Sequence, residues 1–324
     1  MNTSVQPAIS HAKLPTTLDI EVMDERGQRY QQSIAAERSL TIYLNRREIV
    51  TLMTLGAEPE ALVAGYLRNQ GLLGELEDLE ALQVDWEVES ASVVTRHLPD
   101  DIEQRLGKRT VTTGCGQGTV FGNLLERQSL SALDSRPFSQ ALLYRLLDAL
   151  TAHNATYRKA GAVHGCALCR DDEVLAFIED VGRHNAVDTL AGLSWLSPLR
   201  GALTETSRSV DSFGSIDGSG SVDYTGANIF YTTGRLTSEM VLKVAQAGIS
   251  VLVSRSGVTQ KGVELAERFG VLLIARAKGK HFQAIDSVGR LVLDAIPAPR
   301  AADVMKDSGK GANSYATKEQ RGKP

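Results

Sequence analysis

Residues 228–276 narrow most sharply what this chain can fold into. "NIFYTT" (228–233), "SVLVS" (250–254) and "VLLIAR" (271–276) are short apolar runs, separated by the amphipathic segments "SEMVLKVAQAG" (238–248) and "QKGVELAERFG" (260–270). Each amphipathic segment ends in glycine, a common helix stop. Strand, helix, strand, helix, strand at this spacing implies parallel βαβ units, because parallel neighbours need a crossover and crossovers are right-handed. In such a sheet, ligands bind beyond the carboxyl ends of the strands. The expected class is therefore α/β, or α+β once the first half is included.

The first half is less regular. "RSLTIYLNRREIVTLM" (38–53) reads as two strands around a turn at Asn45-Arg46, and "PEALVAGYLRNQGLL" (59–73) as a helix stopped at Gly71. Strands follow near 82–87 and 91–96. "RTVTT" (109–113) carries a strand into a glycine-rich loop, and "SQALLYRLLDALTAHN" (139–154) is an amphipathic helix. Residues 203–227 are rich in Ser, Gly and Asp without apolar periodicity and read as a flexible insertion. The expected layout is a flexible tail over 1–16, a smaller strand-rich domain over 17–136, a larger α/β domain over 137–298 and a disordered tail over 299–324.

Composition excludes several classes. The chain has 324 residues, 42% hydrophobic and 23% charged, with a net charge of −4, so no global field favours nucleic acid. Its three cysteines, Cys115, Cys166 and Cys169, form no repeated framework of the kind that staples secreted domains. No signal-like or membrane-spanning apolar run is evident, which points to the reducing cytoplasm and away from membranes.

Four places carry candidate chemistry. The strand ends bring Gly234 and Arg235, Ser254 and Arg255, and the run Ile274, Ala275, Arg276, Ala277, Lys278 and Gly279 to one rim. Arginine forks and helix N-termini suit phosphate, so the rim reads as a site for a nucleotide-like ligand. "FIEDVGRHNAVDTL" (177–190) packs Asp180, Arg183, His184 and Asn185 at a strand-to-helix junction. That suits a polar pocket or proton handling, or else a capping network with a surface His184–Asp188 pair. "VHGCALC" (163–169) offers His164, Cys166 and Cys169, either as zinc ligands or, as the strand-like alternation favours, as core packing. Finally, "TTGCGQG" (112–118) sets Cys115 among glycines, where a large partner can approach the sulfur.

Together, "EDVGRHNAVD" (179–188), "TTGRLTSEMVLKVAQAGISVLVSRSGVT" (232–259), "GCG" (114–116) and "AVHGCAL" (162–168) resemble the FdhD/NarQ family. The resemblance implies a sulfur carrier that takes persulfide sulfur from a cysteine desulfurase onto Cys115. It would pass that sulfur to a molybdenum guanine dinucleotide cofactor needed by formate dehydrogenase, with GDP or GMP as surrogate ligands and no metal of its own. It further implies a cytidine-deaminase-like α/β/α fold for the larger domain, and a homodimer. Deaminase chemistry itself is disfavoured, since no catalytic glutamate accompanies His164. The family's two-cysteine C-G-x-C-G pattern is incomplete, because Gly118 stands where the second cysteine belongs. A rival reading is a non-catalytic chaperone for the same cofactor, which would not need Cys115.

Overall fold

The computed structural model describes residues 6–103, 110–111, 118–119, 133–203 and 223–296. The first strands are β1 (Ala8–Ile9), the hairpin of β2 (Thr17–Met23) with β3 (Arg29–Ala35), and the hairpin of β4 (Arg38–Leu44) with β5 (Arg47–Thr54). Asn45 and Arg46 turn the second hairpin with φ of 45° and 69°, as expected for a two-residue turn whose twist matches its strands. Asn45 is further held by reciprocal side-chain bonds with the Thr95 backbone at 2.9 Å. Helix α1 (Pro59–Asn69) and the antiparallel pair β6 (Leu79–Asp85) and β7 (Ser90–Thr95) follow. The resulting sheet runs β1-β6-β7-β4-β5. Part of the expected N-terminal tail is thus held: β1 pairs with β6, and Ser10 Oγ and Ala12 N both donate to Glu60 Oε1 at 2.7 Å.

The two-residue strands β8 (Thr110–Val111) and β9 (Gly118–Thr119) pair with each other, and β10 (Phe138–Ser139) leads into α2 (Gln140–Leu150). The expected helix over 139–154 stops at Leu150, and a short α3 (Ala155–Ala160) continues separately. Then come β11 (His164–Arg170), β12 (Glu173–Asp180), α4 (Arg183–Leu203), β13 (Ile229–Thr232), α5 (Ser238–Gln246), β14 (Val251–Ser254), α6 (Gln260–Phe269), β15 (Leu272–Lys278), β16 (His281–Ile285) and β17 (Leu291–Val292). Their six-stranded sheet runs β12-β11-β13-β14-β15-β16. β13, β14 and β15 are parallel as expected, while β11, β12 and β16 join antiparallel. The protein is a mixed α/β fold.

Both faces of this sheet are covered. Leu143, Leu146, Leu147 and Leu150 of α2 pack on Cys169, Tyr231, Val253 and Ile274. Val187 and Leu190 of α4, Met240 and Val241 of α5, and Leu265 of α6 pack on Cys166, Phe230, Leu252 and Leu273. Helix α4 also reaches the N-terminal core, where Trp195 and Leu196 join Leu62, Tyr66 and the β4–β7 side chains. Helices α1 and α4 cross at glycines: a Cβ on Gly65 would lie 1.7 Å from the Asp188 carbonyl oxygen, and one on Gly192 would lie 1.8 Å from that of Ala61. This is why α1 is buried from Pro59 to Leu67 rather than along one face. Among the described residues, no helix is long and apolar enough to cross a membrane. Most of the expected insertion and the whole expected C-terminal tail lie outside the described residues.

Candidate functional site

The carboxyl ends of β13, β14 and β15 lie side by side, so Gly234, Arg235, Ser254, Arg255 and Arg276 share one edge. Buried Ser254 stitches that edge: its Oγ donates to Gly234 O at 2.6 Å and accepts from Ser256 N at 2.8 Å. Arg276 N donates to Ser256 O at 2.9 Å. Gly234 is needed there, because a Cβ would lie 2.7 Å from Arg183 Cδ.

The expected single arginine rim resolves into two groups on opposite sides of the sheet. On the α2 side, Arg255, Ala277, Lys278 and Gly279 meet Tyr231, Asn154, Tyr157 and Arg158 around a cavity of about 390 Å³. Burial pushes the Tyr231 phenol up to about 12, an effect that the neighbouring Arg255 guanidinium opposes. Arg276 has a φ of 50°, and the pairing of β15 with β16 shifts register between Ala275 and Lys278. That bulge breaks the strand's alternation and leaves Arg276 and Lys278 exposed, while Ile274, Ala275 and Ala277 stay buried.

On the α4 side, His164, Arg183, His184 and Arg235 gather. His164 Nδ1 is 3.4 Å from Thr233 Oγ1, and burial, then the Arg183 and Arg235 cations, hold its ring below the usual histidine range. Burial, then Lys243 and Arg183, push His184 down to about 2, so its ring is neutral at neutral pH. The alternative of a surface His184–Asp188 pair is corrected, because both residues are buried and face different partners. Asp188 accepts from Lys243 Nζ at 2.8 and 3.0 Å and from Asn69 Nδ2 at 2.6 Å. His184 Nε2 lies 3.4 Å from Glu239 Oε2. Lys243 and Glu239 sit four apart on α5 within an apolar run, and that spacing was the signal available in the sequence.

The carboxylate at the head of α4 binds the junction together. Asp180 Oδ1 accepts from Gly182 N at 3.1 Å and Asn185 Nδ2 at 2.9 Å, while Oδ2 accepts from Thr54 Oγ1 at 2.6 Å and Leu55 N at 3.2 Å. Asn185 Nδ2 also donates to Met53 O at 2.6 Å. Burial raises the Asp180 carboxyl above its usual range, and these hydrogen bonds work against the rise. The junction therefore ties β5 to the start of α4. Glu179, next to it, accepts from Thr156 N at 2.7 Å and Tyr157 N at 2.9 Å, and so fixes α3 beside the cavity.

Cys166 packs toward α4 and Cys169 toward α2, so the two thiols of "HGCALC" face opposite sides of β11 and cannot share an ion. Burial pushes both up to about 12, which makes them inert small hydrophobes. Among the described residues, no three His, Cys, Asp or Glu side chains gather as metal ligands. A second cavity, about 180 Å³ between α4 and α5, has Lys243, Asn69 and Phe230 in its wall and none of the expected site residues. Cys115 lies outside the described residues; the paired strands β8 and β9 bracket its six-residue segment, 112–117.

Comparison with known proteins agrees with this architecture. The model of the FdhD/NarQ family matches residues 35–292. Proteins named sulfur carrier protein FdhD include one from Listeria monocytogenes serotype 4b, 26% identical over 267 residues, covering 82% of this chain and 93% of its own length. Another, from Wolinella succinogenes, is 27% identical over 269 residues, covering 82% and 85%. A crystal structure from Desulfotalea psychrophila, described as a candidate formate dehydrogenase accessory protein, superposes with a TM-score of 0.61 at 26% identity. It covers 86% of this chain and 100% of that one.

Proposed function

The chain belongs to the FdhD/NarQ family, and on that premise we propose that it is a sulfur carrier, with Cys115 as the carrying residue, in the maturation of a formate dehydrogenase. The names of its relatives support the role, and the single observation that carries the residue assignment is the contrast among its cysteines. Cys166 and Cys169 are sealed in the core with thiols pushed up to about 12, which leaves Cys115 to do any sulfur chemistry. In the transfer step, the Cys115 thiolate attacks the terminal sulfur of a donor persulfide. A new S–S bond forms on Cys115, the donor's S–S bond breaks, and the donor cysteine leaves as thiolate. The donor is a cysteine desulfurase and the acceptor is a molybdenum cofactor bearing guanine dinucleotide, as the resemblance implies. The helices on both faces of the six-stranded sheet support the cytidine-deaminase-like layering expected for this region.

The nucleotide half of that substrate fits the cavity on the α2 side. Arg158, Arg255 and Lys278 supply cations for phosphate, and Tyr157 offers an exposed ring at the same opening. GDP is therefore expected to bind there, and Arg255→Ala to weaken it about tenfold to a hundredfold, the loss of one charge-assisted hydrogen-bonding group. Calorimetry checks this; equal affinity in both proteins, or no GDP binding at all, removes the nucleotide from this cavity. The carrier role itself is tested by Cys115→Ser, which keeps size but cannot hold a persulfide. A folded variant that leaves the client dehydrogenase inactive supports the carrier. Full activation would favour a chaperone that only binds the cofactor.

A further inference from the structure

Strand β16 is an outer strand of the six-stranded sheet and, among the described strands, is hydrogen-bonded to β15 alone. Its free side can be read from the far side of β15. Leu272 N donates to Ser250 O and Arg276 N to Ser256 O, both at 2.9 Å, so alternate residues of β15 serve β14. Leu273 and Ala275 therefore turn to β16, where they stand opposite Ile285 and Gln283. The backbone groups of Gln283 and Ile285 are used in that ladder, and those of Phe282 and Ala284 point away from the sheet.

This edge is firmly seated and unguarded. Phe282 packs on the α2-side core, its ring edge-on to Tyr144 with centroids 6.3 Å apart, and Ile285 packs on the α4-side core. Proteins usually blunt an open edge with proline, lysine or a bulge. β16 (His281–Ile285, "HFQAI") has no proline or lysine, and the register shift on β15 lies between Ala275 and Lys278, outside the regular pairs. Gln283 and Ala284 are exposed.

We propose that β16 takes up an extended segment of a partner protein as a seventh strand, running antiparallel and carrying acidic residues at its C-terminal end. Charge sets both the occupant and its direction. Arg276, Lys278 and Lys280 are exposed beside the N-terminal end of β16 and make no ion pair among the described residues. At the other end stands Asp286, whose Oδ2 accepts from Leu291 N at 2.7 Å. An antiparallel segment brings its C-terminal end to the basic turn, where acidic side chains are attracted and basic ones repelled. Residues 297–324 of this chain carry six basic and three acidic side chains, which disfavours them as the occupant. The affinity comes from main-chain bonds to Phe282 and Ala284, and a β-branched residue suits the place opposite Phe282.

The inference stands apart from the sulfur-carrier reading and is tested on the full chain with a dye-labelled probe peptide, Thr-Val-Thr-Val-Thr-Glu-Glu-Glu. Fluorescence anisotropy is expected to show binding to the wild type that weakens as salt is raised. Amide exchange measured by NMR on the wild type is expected to slow at Phe282 and Ala284, and to stay unchanged at Gln283 and Ile285, which are already paired. Ala284→Pro deletes one outward N–H while sparing the inward ladder, and should weaken the peptide about tenfold. Lys280→Glu should weaken the acidic peptide and strengthen a version ending in three lysines. A wild type that does not bind the probe, an Ala284→Pro protein that binds it equally well, or a lysine-ended peptide held as tightly by the wild type would overturn the proposal.

Discussion

Asp188→Ala is expected to lower folding stability by about 3–5 kcal/mol, the usual cost of breaking a buried ion pair from one side. Asp188 is 0% exposed and Lys243 5%, so the ammonium left behind cannot turn to water. It would keep Glu239, 3.3 Å away, as its remaining anion partner among the described residues. Asn69 of α1 would lose its acceptor as well, so the change acts on both sides of the α1–α4 contact. Urea unfolding followed by circular dichroism gives the number. A loss under about 1 kcal/mol, the range of an exposed pair, would mean that this network is solvated after all.

Gly192→Ala tests the helix crossing, and here two effects oppose each other. Alanine is the better helix former by about 1 kcal/mol, which taken alone predicts a more stable protein. Packing predicts the reverse, because the added Cβ would lie 1.8 Å from the Ala61 carbonyl oxygen. Backbone cannot yield as a flexible side chain can, so α1 and α4 must move apart and open both cores that they seal. Overpacking of well-packed interiors typically costs about 1–3 kcal/mol, and a clash with backbone belongs at the top of that range or above it. A net loss of at least about 2 kcal/mol is therefore expected. A Gly192→Ala protein with a raised melting temperature would show that the helices are not in contact there.

The parallel core of the fold was legible in the sequence because each strand and helix of 228–276 carries its own period and its own stop. Gly270, for example, closes α6 with a φ of 70°. The turn at Asn45 and Arg46 was legible for a similar local reason. What escaped was tertiary. β3 and β16 lack the sustained apolar alternation that marks a half-buried strand, whereas β2 does alternate at Leu18, Ile20 and Val22. Gly65 and Gly192 look like weak points in helices until the second helix is in place, and only the pair explains either one.

The site divides in the same way. The strand ends gave the edge itself, but not which face each arginine serves. Arg235 lies beyond a turn that crosses toward α4, whereas Arg255 follows directly on β14 and reaches the α2 side. Asn154, Tyr157 and Arg158 were not visible as site residues, because nothing local to "HNATYRK" says that Glu179, 22 residues on, will hold the start of α3 beside the cavity. The motif "EDVGRHNAVD" drew notice as chemistry, yet much of its polarity is structural: Glu179 fixes α3, Asp180 and Asn185 hold β5, and Asp188 pairs with Lys243.

The central claim is that Cys115 accepts sulfur. The most direct measurement is intact-protein and peptide mass spectrometry after incubation with a cysteine desulfurase and cysteine under non-reducing conditions. One added sulfur atom is expected on the peptide that contains Cys115, removable by a reducing agent, with none on the peptides carrying buried Cys166 and Cys169. An unmodified Cys115 in the presence of an active desulfurase, or sulfur gained only on Cys166 or Cys169, would contradict the account.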